Sequence, residues 1–377
     1  MARLRDTVPD RQGALSPMTT RMQITPLDAA SRARVDALRD SAIFTVSESL
    51  RDECDAEFGA ASRDACREDL GFELEFLDTA LEFGTVQPLV DYLRWFASVL
   101  VARGSPAAHA TRQLEQLIEF FASRLDPADA GVVCGILQAA RDRFVELGPV
   151  ADTPGRDSPE AWPESAEFEV ALLAGNHRGA SSIFQGALDR GRTLVEVGMH
   201  VVQPALYRIG QKWQANLVTV AQEHLSTAIA QMTMNRGLLT VDPPPWNGRK
   251  VLLACVQGNE HSVGLQMVAD AFQLDGWDVQ YLGANVPSTA LVDQVEQWRP
   301  DLLCLSLSFA RQMRAAKEAV RAIERRLGNG RPAVMVGGLA INRLEDLATL
   351  IGADAWSANA ADAVTVGTRL AGPRPLA

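Results

Sequence analysis

The sequence predicts a multidomain protein in which an all-helical front half precedes a parallel α/β domain. Apolar residues between about 45 and 240 recur every three or four positions, which is the period of an amphipathic helix. Beyond residue 248, short apolar runs alternate with amphipathic segments, as expected for strands that are each followed by a helix. Turn-forming residues over 152–159 and three prolines over 243–245 separate these regions.

The pattern divides the chain into four regions. Residues 1–40 mix Arg, Asp, Thr and Pro without periodicity and are expected to form a flexible arm. Residues 45–150 predict a helical domain whose clustered aromatic residues favour a helical core, with a ligand pocket or a dimer face as alternatives. Residues 160–242 predict a four-helix-bundle cap, whose last helix begins with a capping box at Thr219. Residues 248–372 predict a five-stranded parallel sheet of the flavodoxin-like, Rossmann-type class.

Composition and charge narrow the function. The 377-residue chain is 47% hydrophobic and 22% charged, as is typical of a globular protein. Its net charge of −11 argues against a general nucleic-acid binder, which needs Lys and Arg to neutralise phosphates. The five cysteines show no paired spacing, and no apolar run reaches the ~18 residues of a membrane span. We therefore expect a reduced, cytoplasmic protein with no secretion signal and no membrane segment.

The loop after the first predicted strand is the best candidate site. In open α/β sheets, ligands bind at the carboxyl ends of the strands. His261 lies in this loop, between a strand that begins at Val251 and a helix over 263–274. The loop contains neither a P-loop motif nor a dinucleotide-binding glycine motif. An imidazole at this position is able to coordinate a metal, although a loop histidine is more often only solvated.

The residues around His261 resemble the Asp/Glu-x-His-x-x-Gly signature of cobalamin (B12)-binding domains, with Asn259 in place of the acid and Gly264 as the glycine. The resemblance implies that His261 is the lower axial cobalt ligand and that Gly264 leaves room for the nucleotide tail. The family's other two signatures, a Ser-rich strand end and a Gly-Gly turn, follow later in the domain. The residues that the resemblance assigns to cofactor binding here are Asn259, Glu260, His261, Ser262, Gly264, Ser306, Ser308, Gly337 and Gly338.

The region before the sheet resembles the helical cap of methionine-synthase-like corrinoid proteins. Within it, Trp213 followed by Glu223 and His224 resembles the Trp-x9-Glu-His motif of CarH-type light-sensing cobalamin proteins. The resemblance implies that these three residues contact the upper cobalt ligand, often 5′-deoxyadenosine. It also makes His224, and after it His200, a candidate to occupy that position after photolysis. A core tryptophan and a glutamate that favours a helix N-terminus are the structural alternatives.

Two departures from the family pattern affect the expected function. Asn259 can accept a hydrogen bond from His261 but carries no charge to support a cationic imidazole, which favours a sensor over a methyl carrier. Residues 45–148 lack a recognisable recognition helix, unlike the winged-helix region of CarH-type regulators. We therefore expect no direct DNA binding, and a protein effector or a homo-oligomer as the partner. This region is also acidic in places, at Glu68, Asp69, Glu73, Glu75, Asp78 and Glu82.

These features predict a cobalamin-binding photoreceptor or sensor that is not itself an enzyme. Adenosylcobalamin is the expected form, with methyl- or hydroxocobalamin as alternatives. Light would cleave the cobalt–carbon bond and change the conformation or the oligomeric state. The front half also loosely resembles that of photocobilins, which implies a bilin such as biliverdin as a second chromophore, with no residue assigned to it. A corrinoid carrier subunit of a methyltransferase system and a non-catalytic sensor of cobalamin level remain as alternatives.

Overall fold

Three units follow one another along the chain in the computed structural model: a helical domain, a helical cap and an α/β domain. The structure describes residues 24–51, 62–150, 159–242, 244–344 and 347–372. The predicted linker and residues 1–23 of the predicted arm lie almost wholly outside these ranges. Within them, no helix is both long enough and apolar enough to cross a membrane. The predicted multidomain α + α/β class is confirmed.

The helical domain begins earlier than the sequence predicted. Asp28 starts the first helix by accepting a hydrogen bond from the backbone N–H of Ser31 at 2.8 Å, and Val35 is buried against the rest of the domain. Most of residues 29–40 are therefore helical rather than part of the predicted arm, because one capping residue and few apolar side chains give little periodicity. The described helices of this domain are α1 Ala29–Asp36, α2 Arg39–Ser49, α3 Ser62–Phe83, α4 Gln87–Ala102, α5 Ala108–Arg124 and α6 Pro127–Leu147.

The core of the helical domain holds two carboxyl groups beside stacked aromatic rings. Glu73 is 1% exposed, and neither carboxylate oxygen has a hydrogen-bond partner among the described residues. Burial raises the pKa of Glu73 well above its usual value and raises the pKa of Asp69, one helical turn earlier, to about 7. Tyr92 donates a hydrogen bond to the Asp69 carbonyl at 3.3 Å and stacks between Phe76 and Phe96. Burial therefore favours the protonated form of Glu73 and shifts Asp69 toward it.

The cap is a helical unit in which the predicted capping box is confirmed. The Gln222 N–H donates to Thr219 Oγ1 at 3.2 Å, and the Thr219 N–H donates to Gln222 Oε1 at 3.0 Å. These two bonds satisfy backbone donors that would otherwise be unpaired at the start of the last helix. The described cap helices are α7 Glu164–Leu173, α8 His177–Asp189, α9 Leu194–Val197, a π-helix Gly198–Val202, α10 Gln203–Gln214 and α11 Val220–Leu238.

The α/β domain contains the predicted five-stranded parallel sheet, in the order β2-β1-β3-β4-β5. The strand order changes direction at β1, so the crevice at the carboxyl ends of β1 and β3 is the expected ligand position. The strands are β1 Lys250–Cys255, β2 Asp278–Tyr281, β3 Leu302–Ser306, β4 Ala333–Gly337 and β5 Ala355–Ser357. The helices are α12 Val263–Leu274, α13 Ser288–Trp298, α14 Met313–Leu327, α15 Leu339–Arg343, α16 Leu347–Ile351 and α17 Ala360–Leu370.

The two helical units pack on different sides of the sheet. Met267 and Ala271 of α12 are buried in the core of the cap. Met313 and Ala316 of α14 belong instead to an apolar cluster that continues into the helical domain. Because α12 follows β1 and α14 follows β3, the loops that precede these helices lie close to both helical units. The site is therefore built from three parts of the chain.

Candidate cofactor-binding site

His261 lies in the loop between β1 and α12, in a crevice that faces the cap. The ring of Phe309, from the loop after β3, meets the imidazole edge to face with centroids 5.3 Å apart and planes at 78°. On the cap side, Glu223 is near enough for its charge to act on the imidazole, and Gln231 donates to Ser262 Oγ at 3.5 Å. The structure therefore brings the predicted lower ligand to the predicted face of the sheet.

The surroundings of His261 favour a neutral imidazole. Burial lowers the pKa of His261 below its usual value; the Glu223 carboxylate opposes this shift, the Arg311 guanidinium adds to it, and Glu260 opposes it. The neutral ring carries the free nitrogen lone pair that metal coordination requires. The side chain is partly enclosed by charged and aromatic neighbours, yet the residue as a whole is exposed at the surface. A ligand in the crevice can therefore reach it.

Asn259 holds the loop in place rather than the imidazole. Its side chain is 0% exposed; Nδ2 donates to the Ser306 carbonyl at 2.9 Å, and Oδ1 accepts the backbone N–H of His261 at 3.2 Å. The expected hydrogen bond from the His261 ring to Asn259 is thus replaced by a bond from the His261 backbone. A neutral amide suits this buried position, since it satisfies both backbone groups without burying a charge.

The glycines of the site differ in whether the fold leaves room for a side chain at their position. A Cβ added to Gly264, in the first turn of α12, would meet no heavy atom within 4 Å, so the fold leaves open space there. Gly338 has φ +99°, and a Cβ there would lie 2.3 Å from the Leu307 carbonyl oxygen. At Gly337 the corresponding contact is 3.2 Å, to the Ser357 carbonyl oxygen. Gly264 therefore fits the space that the cofactor's tail would need, whereas Gly338 is also required by the fold.

The two serines at the predicted Ser-rich strand end lie in different surroundings. Ser306 is buried; its side chain is hydrogen-bonded to the Cys255 thiol, and its carbonyl accepts the hydrogen bond from Asn259. Ser308 is only partly buried, and its backbone N–H donates to Gln312 Oε1 at 2.8 Å. Ser308 is thus the serine that remains accessible at the edge of the crevice.

The histidines predicted for the upper face are separated in the structure. His224 Nδ1 lies 2.8 Å from Glu223 Oε2, and the His224 side chain is 75% exposed. Glu223 in turn lies near His261, so this pair borders the crevice. His200 stacks on Trp162 with centroids 4.5 Å apart, and its Nδ1 lies 2.7 Å from the Glu160 carbonyl oxygen. His200 is therefore engaged within the cap.

Trp213 joins the cap to the helical domain. It stacks on Trp95 of α4 with centroids 6.2 Å apart, and the Arg103 guanidinium lies 5.2 Å from its ring centroid. The next residue, Gln214, donates to Ser98 Oγ at 2.6 Å. Trp213 thus packs as a structural aromatic residue, which was the alternative to a ligand contact. Its partner Trp95 belongs to the helical domain rather than to the cap.

Three residues of the site region, Phe309, Arg311 and Gln312, could not be identified from the sequence. The side chain of Gln312 accepts hydrogen bonds from the N–H groups of Ser308 and Phe309 and donates to the Gly258 carbonyl at 2.7 Å. Arg311 lies with its guanidinium 5.4 Å from the Phe309 ring centroid. Their position directly after a Ser-rich strand end was the one available signal. Their partners lie far away in the sequence.

The α/β domain and the cap each match a protein-family model. Residues 249–365 match a B12 binding domain, and residues 165–236 match a second B12 binding domain of a different model. The first match coincides with the α/β domain and the second with the cap. Both units that meet at the His261 loop therefore match B12 binding domains.

The known relatives make the resemblance more specific. The HTH-type transcriptional repressor CarA of Myxococcus xanthus is 31% identical over 199 residues, which is 51% of this chain and 64%, just under two thirds, of CarA. The HTH-type transcriptional repressor CarH of the same organism is 29% identical over 250 residues, 64% of this chain and 81% of CarH. Dimethylamine corrinoid protein 2 of Methanosarcina acetivorans is 26% identical over 196 residues, covering 48% and 89%. The chain is a cobalamin-binding-domain protein that resembles the CarH-type proteins.

These relatives contradict the prediction about partners. We expected no direct DNA binding and a protein effector or a homo-oligomer instead, whereas CarA and CarH are HTH-type transcriptional repressors. The prediction failed because a net charge of −11 describes the whole chain, and a DNA-binding surface needs only a local group of basic residues.

The two site glycines should respond differently to substitution. Gly338→Ala places a Cβ against the Leu307 carbonyl at a positive φ, so it should lower the free energy of unfolding by about 2 kcal/mol or more. Gly264→Ala should change it by no more than about 0.5 kcal/mol, because the space is open and alanine favours a helix. Urea unfolding of both variants, followed by circular dichroism, measures the difference. A loss at Gly264 as large as that at Gly338 would contradict it.

Proposed function

We propose that this protein is a cobalamin-dependent sensor with a regulatory output, in which cobalamin lies between the cap and the α/β domain. The observation that carries the proposal is the position of His261, which is exposed at the carboxyl end of β1 in a loop that contacts the cap. The match of both surrounding units to B12 binding domains supports it. The names of CarA and CarH, both transcriptional repressors, support an output in gene regulation.

The residues around His261 fit the lower face and the tail of the cofactor. His261 would hold cobalt, while Asn259 fixes the loop through its two backbone hydrogen bonds. The open side of Gly264 would admit the nucleotide tail. Glu260 is exposed, and Ser262 and Ser308 are partly exposed, so their polar groups would be available to the tail. Ser306, Gly337 and Gly338 shape the neighbouring strand ends.

The cap residues would surround the upper face. Adenosylcobalamin, when bound, supplies a cobalt–carbon bond that visible light breaks. Glu223 borders the crevice and holds His224, whose largely exposed side chain is free to reorient toward the position above cobalt. Trp213 links this region to the helical domain through Trp95. Loss of contacts to the upper ligand, worth a few kcal/mol, or about one or two large buried side chains, would shift a two-state interface by ~10- to 1000-fold.

The presence of Asn259 favours a sensor over a methyl carrier. In a carrier that changes the oxidation state of cobalt, a carboxylate hydrogen-bonded to the histidine ring is useful. The carboxylate can share the ring proton and thereby adjust how strongly the histidine donates to cobalt. Here the neutral amide is hydrogen-bonded to two backbone groups and not to the His261 ring. A corrinoid carrier subunit remains the enzymatic alternative, since a dimethylamine corrinoid protein is among the relatives. A sensor of cobalamin level without a light response is the second, non-enzymatic alternative.

We further propose the helical domain as the place for a bilin. A bilin offers a flat conjugated system with N–H donors, and the buried carboxyl of Glu73 has no hydrogen-bond partner among the described residues. The stacked rings of Phe76, Tyr92 and Phe96 beside it suit a flat ligand. A partnerless buried carboxyl costs stability, so its presence is better explained by a ligand than by packing.

His261→Ala should abolish histidine ligation of cobalt while leaving the fold nearly unchanged, because the side chain has an exposed edge. Protein loaded with hydroxocobalamin should show the spectrum of His-ligated, base-off cofactor in the wild type and lose it in the variant. His177→Ala, at an exposed histidine at the start of α8, is the matched control. A variant spectrum identical to that of the wild type would remove His261 from the proposal.

Light should change the shape of the wild-type protein loaded with adenosylcobalamin. Absorption and small-angle scattering, in darkness and after visible light, should show loss of the upper ligand together with a changed radius of gyration. Trp213→Ala should retain photolysis but lose most of the shape change, because the Trp95 contact is gone. Trp246→Ala, at a tryptophan that is 64% exposed, should behave as the wild type. Photolysis without any shape change in the wild type would refute the light sensor. The corrinoid carrier and the sensor of cobalamin level would then remain as candidate functions.

Glu73→Leu should stabilise the protein and abolish bilin binding. The raised pKa of Glu73 means that the folded state prefers the protonated acid, so its cost to stability grows as pH rises above about 4.5. The gain on substitution should therefore be larger at pH 8 than at pH 5, by up to about 1.4 kcal/mol per pH unit. Thermal unfolding at both pH values and a biliverdin titration, with exposed Glu119→Leu as control, measure this. Unchanged biliverdin binding would refute the assignment.

A further inference from the structure

Acidic residues on α3 pair with basic residues of α14 and of the 3₁₀-helix Ala310–Gln312 that leads into it. Glu75 accepts a hydrogen bond from Arg311 at 2.6 Å, and Glu82 accepts hydrogen bonds from Arg314 and Lys317, each at 3.0 Å. The spacing of three and four residues places the acidic set on one face of α3. The α3–α14 ladder, as we call it, consists of Glu75, Asp78 and Glu82 with Arg311, Arg314 and Lys317. It joins the helical domain to the α/β domain.

Arg311 differs from the other members of the ladder because it also reaches the cofactor site. Its guanidinium lies 4.9 Å from the ring centroid of Phe72 on α3 and 5.4 Å from that of Phe309. Phe309 contacts the His261 ring edge to face at 5.3 Å. A continuous series of contacts therefore runs from His261 through Phe309 and Arg311 to Glu75 and Phe72.

The other end of the ladder lies within α14 itself, six residues after Arg311. There Lys317 pairs with Glu82 and lies 4.3 Å from the Phe83 ring centroid. These two charged side chains are 15% and 8% exposed, whereas those of Arg311 and Glu75 are 18% and 38% exposed. Partly exposed ion pairs are individually weak, so the Arg311 end can open at little cost.

We propose that Arg311 couples the His261 loop to α3, so that a displacement of His261 reaches the helical domain through Phe309 and the ion pair with Glu75. This inference depends on the proposed function in one respect, which is that cobalamin is the group that would displace His261. Coupling between two sites is reciprocal. Breaking the ion pair from the α3 side should therefore loosen the His261 loop.

Hydrogen exchange of the full chain without added cofactor tests this reciprocity. Glu75→Gln should make peptides over residues 256–263 exchange about two- to fivefold faster, as expected for the loss of a partly exposed ion pair. Glu82→Gln, in the same ladder but remote from Phe309, should leave those peptides at the wild-type rate. No change with Glu75→Gln, or an equal change with both variants, would overturn the coupling.

A second measurement adds hydroxocobalamin and separates this inference from the proposed function. Loading should change exchange over residues 70–83 in the wild type and in Lys317→Gln, and this change should be absent in Arg311→Gln. The absorption spectrum reports independently whether His261 binds cobalt. Histidine ligation without any response in α3 overturns the coupling alone. Failure to load, with the loop still loosened by Glu75→Gln, overturns the proposed function and leaves the coupling in place.

Discussion

The buried side chain of Asn259 is the constraint on which the geometry of the candidate site depends. Its amide nitrogen holds the carbonyl at the end of β3, and its oxygen holds the backbone of His261. The loops after two neighbouring strands are thereby fixed to each other, at the point where the strand order changes direction. A buried amide keeps such a position because loss of either bond would leave a buried polar group unpaired. The imidazole itself then remains available to a ligand.

Around this fixed loop, the helical domain contacts both sides of the crevice. It reaches the cap through Trp95 and Trp213 and reaches the α/β domain through the α3–α14 ladder. Both contacts lie within a few residues of a side chain that the sequence assigns to cobalamin. A change in the crevice would thus act on the helical domain from two directions, which gives the proposed sensor a structural route to its output.

The sequence predicted the sheet and the position of His261 well, because these follow from local patterns. Continuous apolar runs mark strands that are buried on both faces, and α12 begins and ends at the predicted residues, Val263 and Leu274. The capping box at Thr219 was equally visible. By contrast, the bond from Asn259 to Ser306 and the stacking of Trp213 on Trp95 join distant segments. No local period reports such contacts, so the site's framework could be predicted but its tertiary partners could not.

The distribution of weak and strong contacts fits a protein that moves at its domain interfaces. Both central strands of the sheet are buried, and substitution at Gly338 is opposed by a backbone contact, so the framework of the site resists change. The helical domain is held in part by charged pairs and by rings that lie partly at the surface. Apolar burial supplies most of the stability of a domain, whereas partly exposed ion pairs supply little. Opening the charged pairs is therefore less costly than disrupting either the framework of the site or the apolar cluster that joins the helical domain to the α/β domain.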